Sequence, residues 1–399
     1  MIQFKIPIPS ACMVSKTTKA LFSFIAQSIR DFLMSNYPGS LSNSIDENGH
    51  PSHFNLGFTF SHAIDQIALD SGILLRWSKG FDIDGAVGQN MCKLLQAELD
   101  ELKLPVHVSA IINDTVGTLM ARAYASPSST RTIMGAVFGT GTNGAYIEKR
   151  SRISKMSPLT SLTTNGMNME DIMIVNSEWG NFDQKLQFLP NTPYDKAVDL
   201  GSVNPGIELY EKRISGMYLG EIFRFAILAL IENYPVSIFR NCLVPEDSQL
   251  HVKWGIDSEF MSSLESDTDL KLTRSIIEIE TRMGIANASR EDATALKIIS
   301  HAIGRRSARL GAVALGAVVL QTDSLEICNV EGRLQVDIGV DGSLIEMYPG
   351  FVEEIRGALR DIEEIGVDGE KLINIAIAKD GSGVGAALTA HIAAVSDAK

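Results

Sequence analysis

Three glycine turns, each placed directly after an apolar run, are where this sequence could hold an anion: Gly139-Thr140-Gly141, Asp341-Gly342-Ser343 and Asp380-Gly381-Ser382-Gly383. Glycine lets backbone N–H groups approach an anion closely, and a turn hydroxyl adds a donor. A left-handed turn residue is the commoner reason for a single loop glycine, but three such turns in one chain strengthen the case for nucleotide phosphates. None has the spacing GxxxxGK followed by Ser or Thr, and none is GxGxxG, so P-loop and dinucleotide readings are disfavoured. Asp114 follows the apolar run 106–112, where an α/β fold presents ligand-facing groups. It reads equally as a general base or as a helix cap. Glu178 in Asn-Ser-Glu-Trp-Gly and Glu211 in Tyr-Glu-Lys are carboxylates beside aromatic rings. Such acids suit a ligand with many hydroxyls and a C–H face that packs on a ring; taken singly, each is more often a solvated or capping acid.

Alternating strands and helices must position these residues. The patterns predict a strand over 2–8, a helix over 17–35, an exposed polar loop over 36–52 and a strand over 54–60. A helix over 88–103 and a strand over 106–112 follow, with a helix starting at 113–115 that Thr115 or Asp114 could cap. A strand at 133–138 enters the first glycine turn, and another leaves it near 145–148. Helices are expected at 206–233, 269–284, 291–303 and 304–321, and strands near 325–329 and 334–340. The chain then reads as a helix over 351–364, a strand over 373–378, a glycine turn at 380–385 and a helix over 386–395. This order is α/β architecture, with a domain boundary near residue 114.

Composition narrows the partners. The 399 residues are enough for two domains, and 45% hydrophobic with 21% charged residues is the range of an ordinary globular protein. A net charge of -13 opposes nonspecific binding to nucleic acid or anionic membrane. It does not oppose ATP, whose charge is met locally by backbone amides and a metal ion. Small molecules are the expected partners. The four cysteines, Cys12, Cys92, Cys242 and Cys328, have no CxxC spacing and suggest neither a zinc site nor a disulfide framework. No basic-then-apolar leader follows Met1, and the apolar stretch 222–232 carries Arg224 and is short for a bilayer span. A cytoplasmic place is expected, or a nuclear one for a regulatory protein.

The stretch 56–81 (LGFTFSHAIDQIALDSGILLRWSKGF) resembles the glucose-binding signature of the eukaryotic hexokinase and glucokinase family, its fungal members nearest. Further blocks follow in order: 112–118 (INDTVGT), 138–143 (FGTGTN), 176–180 (NSEWG), 204–221 (NPGIELYEKRISGMYLGE), 338–343 (IGVDGS) and 380–388 (DGSGVGAAL). The resemblance implies a two-domain actin-like ATPase (ribonuclease H-like) fold with a ligand cleft between a small and a large domain. The small domain would be 1–113 plus the C-terminal helix 387–399, and the large domain 114–386. It implies ATP-dependent phosphorylation of a hexose at its 6-hydroxyl, with Asp114 as base and Lys79 offering a cation to sugar and phosphoryl group. The implied sugar contacts are Ser61, Ser78, Lys79, Asn113, Asp114, Asn143, Glu178 and Glu211. Gly139, Thr140 and Gly141 match the second phosphate segment, Gly342 and Ser343 the adenosine segment. Mg²⁺ would bridge the phosphates with no dedicated protein ligand set. The protein is expected to act as a monomer or homodimer.

The pattern is broken in four places. The signature usually has an aromatic residue and proline where this chain has His62-Ala63 and Thr where it has Ser78, and the family's nucleotide domain usually has Gly-Thr-Arg where this chain has Gly304-Arg305-Arg306. His62 is expected to fill the aromatic packing position, and Arg305 either to crowd the nucleotide or to add a phosphate contact. The family's upstream Asp-Leu-Gly-Gly-Thr-Asn segment, which wraps the ATP phosphates, does not occur in these residues. The small domain would then lack its first strands, leaving strand 2–8 without a neighbour and strand 54–60 with an open edge. Two expectations follow: the chain is part of a longer active kinase, or it is a catalytically impaired regulatory or sugar-sensing protein.

Overall fold

Strands form where β-branched and small apolar residues run together, and helices where apolar residues recur every three or four positions. The structure, a computed structural model, describes residues 2–39, 53–155, 172–233, 238–331 and 335–397. Most of the loop expected at 36–52 lies outside them. The chain divides into two units, Met1–Tyr124 with Asp380–Lys399, and Ala125–Lys379. The expected limits, 113/114 and 386/387, lie 11 and 7 residues from these. The helix Asp114–Ala125 stays with the first unit because its Gly117 backbone lies directly against the C-terminal helix Gly381–Asp397.

In the first unit, the strands Phe54–Thr59 and Val106–Ile112 pair in parallel and end together, with Thr59 opposite Ile112. A hairpin of Ala63–Ala68 and Ser71–Arg76 follows the first of them. The helices Lys19–Asn36 and Met91–Glu101 close the core through Leu21, Phe22, Leu95 and Leu99, packed with Leu74, Val108 and Ile111. Residues 2–9 form no strand. Their period-two apolar pattern has no ladder partner, and Pro7 and Pro9 carry no N–H to donate to one. Phe4, Ile6 and Ile8 instead line a groove with Phe24, Phe32 and Phe54.

The second unit is built on a five-stranded sheet in the order Ile373–Ile377, Gln335–Asp341, Thr130–Phe138, Thr142–Lys149, Ile172–Asn176. The first three strands are parallel and the last two join antiparallel. Helices including Gly216–Asn233, Arg290–Gln321 and Phe351–Asp361 supply the rest of its core. No helix among the described residues is long and apolar enough to cross a membrane.

Several expected boundaries shift for identifiable reasons. The helices expected at 291–303 and 304–321 are one helix, Arg290–Gln321. Gly304 is no break there: a Cβ would stand 2.6 Å from the Tyr348 ring, so glycine serves a close approach. The strand expected near 325–329 is helix, Ser324–Glu331, because a short apolar run has no periodicity to separate the two. The helix expected at 206–233 is two, Glu211–Ile214 and Gly216–Asn233. The glycine turn expected at 380–385 is the first turn of the C-terminal helix from Gly381 onwards, with Gly385 permitting contact with Gly117.

Candidate active site

Parallel pairing delivers two chain ends to one place in the first unit. Phe60 N–H donates to Ile112 O at 2.9 Å, so Ser61 and Asn113 leave neighbouring strands at the same end. Asn113 is buried and accepts from the Thr115 backbone N–H at 2.9 Å and from its hydroxyl at 2.6 Å. Capping thus falls to Asn113 with a share from Asp114, whose Oδ1 accepts from the same N–H at 2.8 Å; Thr115 is the group being capped. Asp114 Oδ2 makes no hydrogen bond among the described residues.

The loop carrying Ser78 and Lys79 is tied to the Ser61–His62 segment twice. Lys79 Nζ donates to Ser61 O at 3.1 Å, and His62 Nδ1 lies 3.1 Å from Ser78 Oγ. Lys79 and Gly80 both take left-handed φ, 55° and 81°, which turns the chain sharply beside the lysine. His62 sits among rings, edge-on to Trp77 and Phe81 with centroids 4.9 and 5.0 Å away and tilted against Phe60 at 5.0 Å. Burial, and then the Lys79 charge, lower its pKa to about 3. The expected packing role therefore describes its surroundings, but it omits the bond to Ser78.

In the second unit, the glycine turns after strands Thr130–Phe138 and Gln335–Asp341 abut, because those strands are parallel neighbours. A Cβ on Gly342, whose φ is 113°, would fall 2.5 Å from Phe138 O, and one on Gly139 would fall 3.4 Å from Gly342 Cα. Gly139 O also accepts from Gly216 N–H at 2.8 Å, bringing the start of helix Gly216–Asn233 against the same turn. Thr140 and Gly141 lie in the first turn, and Ser343 opens the short helix Ser343–Met347 directly after Gly342.

Asn143, on the strand leaving the first turn, donates from Nδ2 to Glu178 Oε1 at 3.1 Å and to Asn176 Oδ1 at 2.8 Å. Asn176 Nδ2 donates to the same Glu178 oxygen at 2.9 Å, and Glu178 itself is left-handed, φ 49°. The buried Glu211 accepts from Thr142 N–H at 3.0 Å, and Trp179 Nε1 donates to Thr142 Oγ1 at 3.1 Å. Gly144 makes room for that indole: a Cβ there would meet the Trp179 ring at 2.2 Å. The second unit thus brings Asn143, Glu178 and Glu211 together. Asn176 is an organising residue that the sequence reading left without a role; its place two residues before Glu178 in block 176–180 was the available signal. Arg305 pairs with Glu354 at 3.3 Å, and Arg306 makes a two-pronged pair with Asp195, both bonds 2.9 Å. Burial raises the Asp195 pKa, but Arg306 and Thr192 outweigh it and hold the carboxyl below its ordinary value.

Comparison with known proteins gives a consistent result. A family model described as hexokinase matches residues 133–392, and a second with the same description matches 1–124. The chain is 45% identical to a glucokinase of Aspergillus niger, over 98% of this chain and 80% of that protein. It is 36% identical to glucokinase-1 of Saccharomyces cerevisiae, over 98% of this chain and 79% of that one. Among solved structures, a hexokinase from Schistosoma mansoni complexed with glucose aligns with a TM-score of 0.77 at 32% identity, covering 97% of this chain and 78% of that one. Another hexokinase crystal structure aligns with a TM-score of 0.70 at 27% identity, covering 95% and 74%.

Proposed function

The chain belongs to the hexokinase family and has its two-domain actin-like fold, and from that premise we propose that it transfers the γ-phosphoryl group of ATP to the 6-hydroxyl of a hexose. The observation that carries the reading is Asp114, held at a strand's carboxyl end with Oδ1 bound to Thr115 and Oδ2 left over. Asp114 takes the 6-hydroxyl proton as that oxygen bonds to phosphorus and the bond from phosphorus to the departing ADP oxygen breaks. Lys79 offsets negative charge at the transferring group. Ser61, Ser78, Asn113, Asn143, Glu178 and Glu211 bind the sugar hydroxyls. Glucose in the Schistosoma mansoni structure and the name glucokinase among the relatives support a glucose-like hexose.

The turns Gly139-Thr140-Gly141 and Gly342-Ser343 hold the nucleotide. Their backbones come together at the ends of parallel strands with no side chain between the two glycines, which fits an anion bound through main-chain groups. Mg²⁺, arriving with the nucleotide, supplies charge neutralisation at the phosphates. Such an ion is expected to be held mainly by phosphate oxygens and water. A cytoplasmic place, where ATP and free hexose meet, fits this chemistry.

A coupled assay with glucose and Mg-ATP tests the reading. Turnover is expected, with Asp114→Ala lowering kcat by about 10²- to 10⁴-fold. Glucose binding without turnover above that variant would overturn it in favour of a sugar sensor.

A further inference from the structure

We propose that His62 is a positioning residue for sugar binding: its neutral imidazole fixes the rotamer of the Ser78 hydroxyl, so that Ser78 meets the sugar already oriented. This rests on the reading of Ser78 as a sugar contact.

A serine side chain has three staggered χ1 wells and no second branch to choose among them. Threonine, the residue the resembled signature usually has here, is restricted at χ1 by its methyl group. Ser78 is buried, and its one side-chain hydrogen bond among the described residues is the 3.1 Å contact with His62 Nδ1. The imidazole can orient the hydroxyl because it is itself fixed. Trp77, Phe81 and Phe60 hold its ring on several sides, with Trp77 and Phe81 stacked on each other at 5.6 Å. Trp77 is anchored in turn by Nε1 donating to Ile83 O at 3.3 Å. The ring is also uncharged over the working range of a cytoplasmic protein, so it neither repels the neighbouring Lys79 cation nor changes its bond to Ser78 with ordinary pH. The second tie, Lys79 Nζ to Ser61 O, crosses the same gap one residue away on each side. The histidine thus restores, by hydrogen bonding from across the loop, the restraint that a β-branched residue would supply by itself.

A packing role and a positioning role predict different things of His62→Phe, which keeps an aromatic ring in the cage and removes the ring nitrogen. Glucose affinity by titration calorimetry, KM and kcat are measured for the wild type, His62→Phe, Ser78→Thr, Ser78→Ala and the double variants. Positioning predicts that His62→Phe weakens glucose binding about three- to tenfold, the worth of one hydrogen bond, with the loss falling on KM more than on kcat. It predicts that adding Ser78→Thr to His62→Phe restores most of that affinity, and that His62→Phe has no further effect on top of Ser78→Ala. Unchanged glucose affinity in His62→Phe overturns the proposal, as does a loss that Ser78→Thr leaves in place. A wild-type chain that binds glucose without turnover overturns the kinase reading alone, since the binding comparison still decides the role of His62. A wild-type chain that binds no hexose overturns both.

Discussion

Asp114 and His62 each take their work from their surroundings. Asp114 sits in the first turn of a helix, where an acid suits the exposed N–H groups, and one of its oxygens shares in capping while the other makes no hydrogen bond among the described residues. His62 is a titratable group made inert by burial. Its pKa falls from 6.5 to about 3, first through desolvation and then through Lys79. Above pH 6.5 the ring is neutral in both folded and unfolded chains. Below that value the unfolded chain takes up the proton while the folded one refuses it until about pH 3. Stability should therefore drain away as pH falls through this window, by at most about 1.4 kcal/mol per pH unit from this residue. His62→Phe should flatten that part of the acid limb. Denaturation midpoints at neutral and mildly acidic pH, followed by tryptophan fluorescence, check it; an identical acid limb in both proteins would show that His62 is not held neutral.

At the scale of elements, glycine is the residue whose role the structure most redefines. The run Gly381-Ser382-Gly383-Val384-Gly385 looks like a phosphate turn, yet it opens a helix that crosses the helix Asp114–Ala125 at backbone contact. A Cβ on Gly385 would lie 2.1 Å from Gly117 O, an approach with no flexible atom to yield. A Cβ on Gly383 would meet nothing within 4 Å. The two substitutions should therefore have opposite signs. Gly385→Ala is expected to cost about 1–3 kcal/mol or more through overpacking, whereas Gly383→Ala should be neutral or add up to about 1 kcal/mol of helix propensity. Hydrogen exchange resolves where the damage falls. Gly385→Ala should lower protection in the helices Asp114–Ala125 and Gly381–Asp397 and leave the five-stranded sheet protected. Equal effects from the two substitutions would contradict the contact.

For the whole molecule, the proposed sugar binding makes a prediction about stability. A ligand that binds only the folded chain raises its stability by mass action, by about 2.7 kcal/mol at a concentration of 100 times Kd. Thermal unfolding should shift upward with D-glucose and not with L-glucose, whose hydroxyls present the mirror-image arrangement. No difference between the two sugars would remove the support for a stereospecific hexose site. The strong negative charge of -13 carries no such specificity; it sets solubility and repels polyanions, and does not choose the substrate.

The sequence by itself determined the α/β order, the strand 106–112 at its observed bounds and the family blocks, because periodicity and residue type are local properties that a strand or turn expresses wherever it is packed. Glu178 and Glu211 were readable as candidates for the same reason, and Asn143 only through the family block 138–143. What only the tertiary structure decided depended on neighbours distant in sequence. The segment 2–8 has a strand's alternation but no partner for its ladder. Gly304 faces Tyr348, and Gly385 faces Gly117, so glycines that read as breaks or anion turns serve close packing. Asn176 became the second donor to Glu178, and His62 became the partner of Ser78, only when strand ends and loops were brought within hydrogen-bonding distance. A hydrogen bond requires an approach of about 3 Å in the right direction, and no spacing along the chain specifies that.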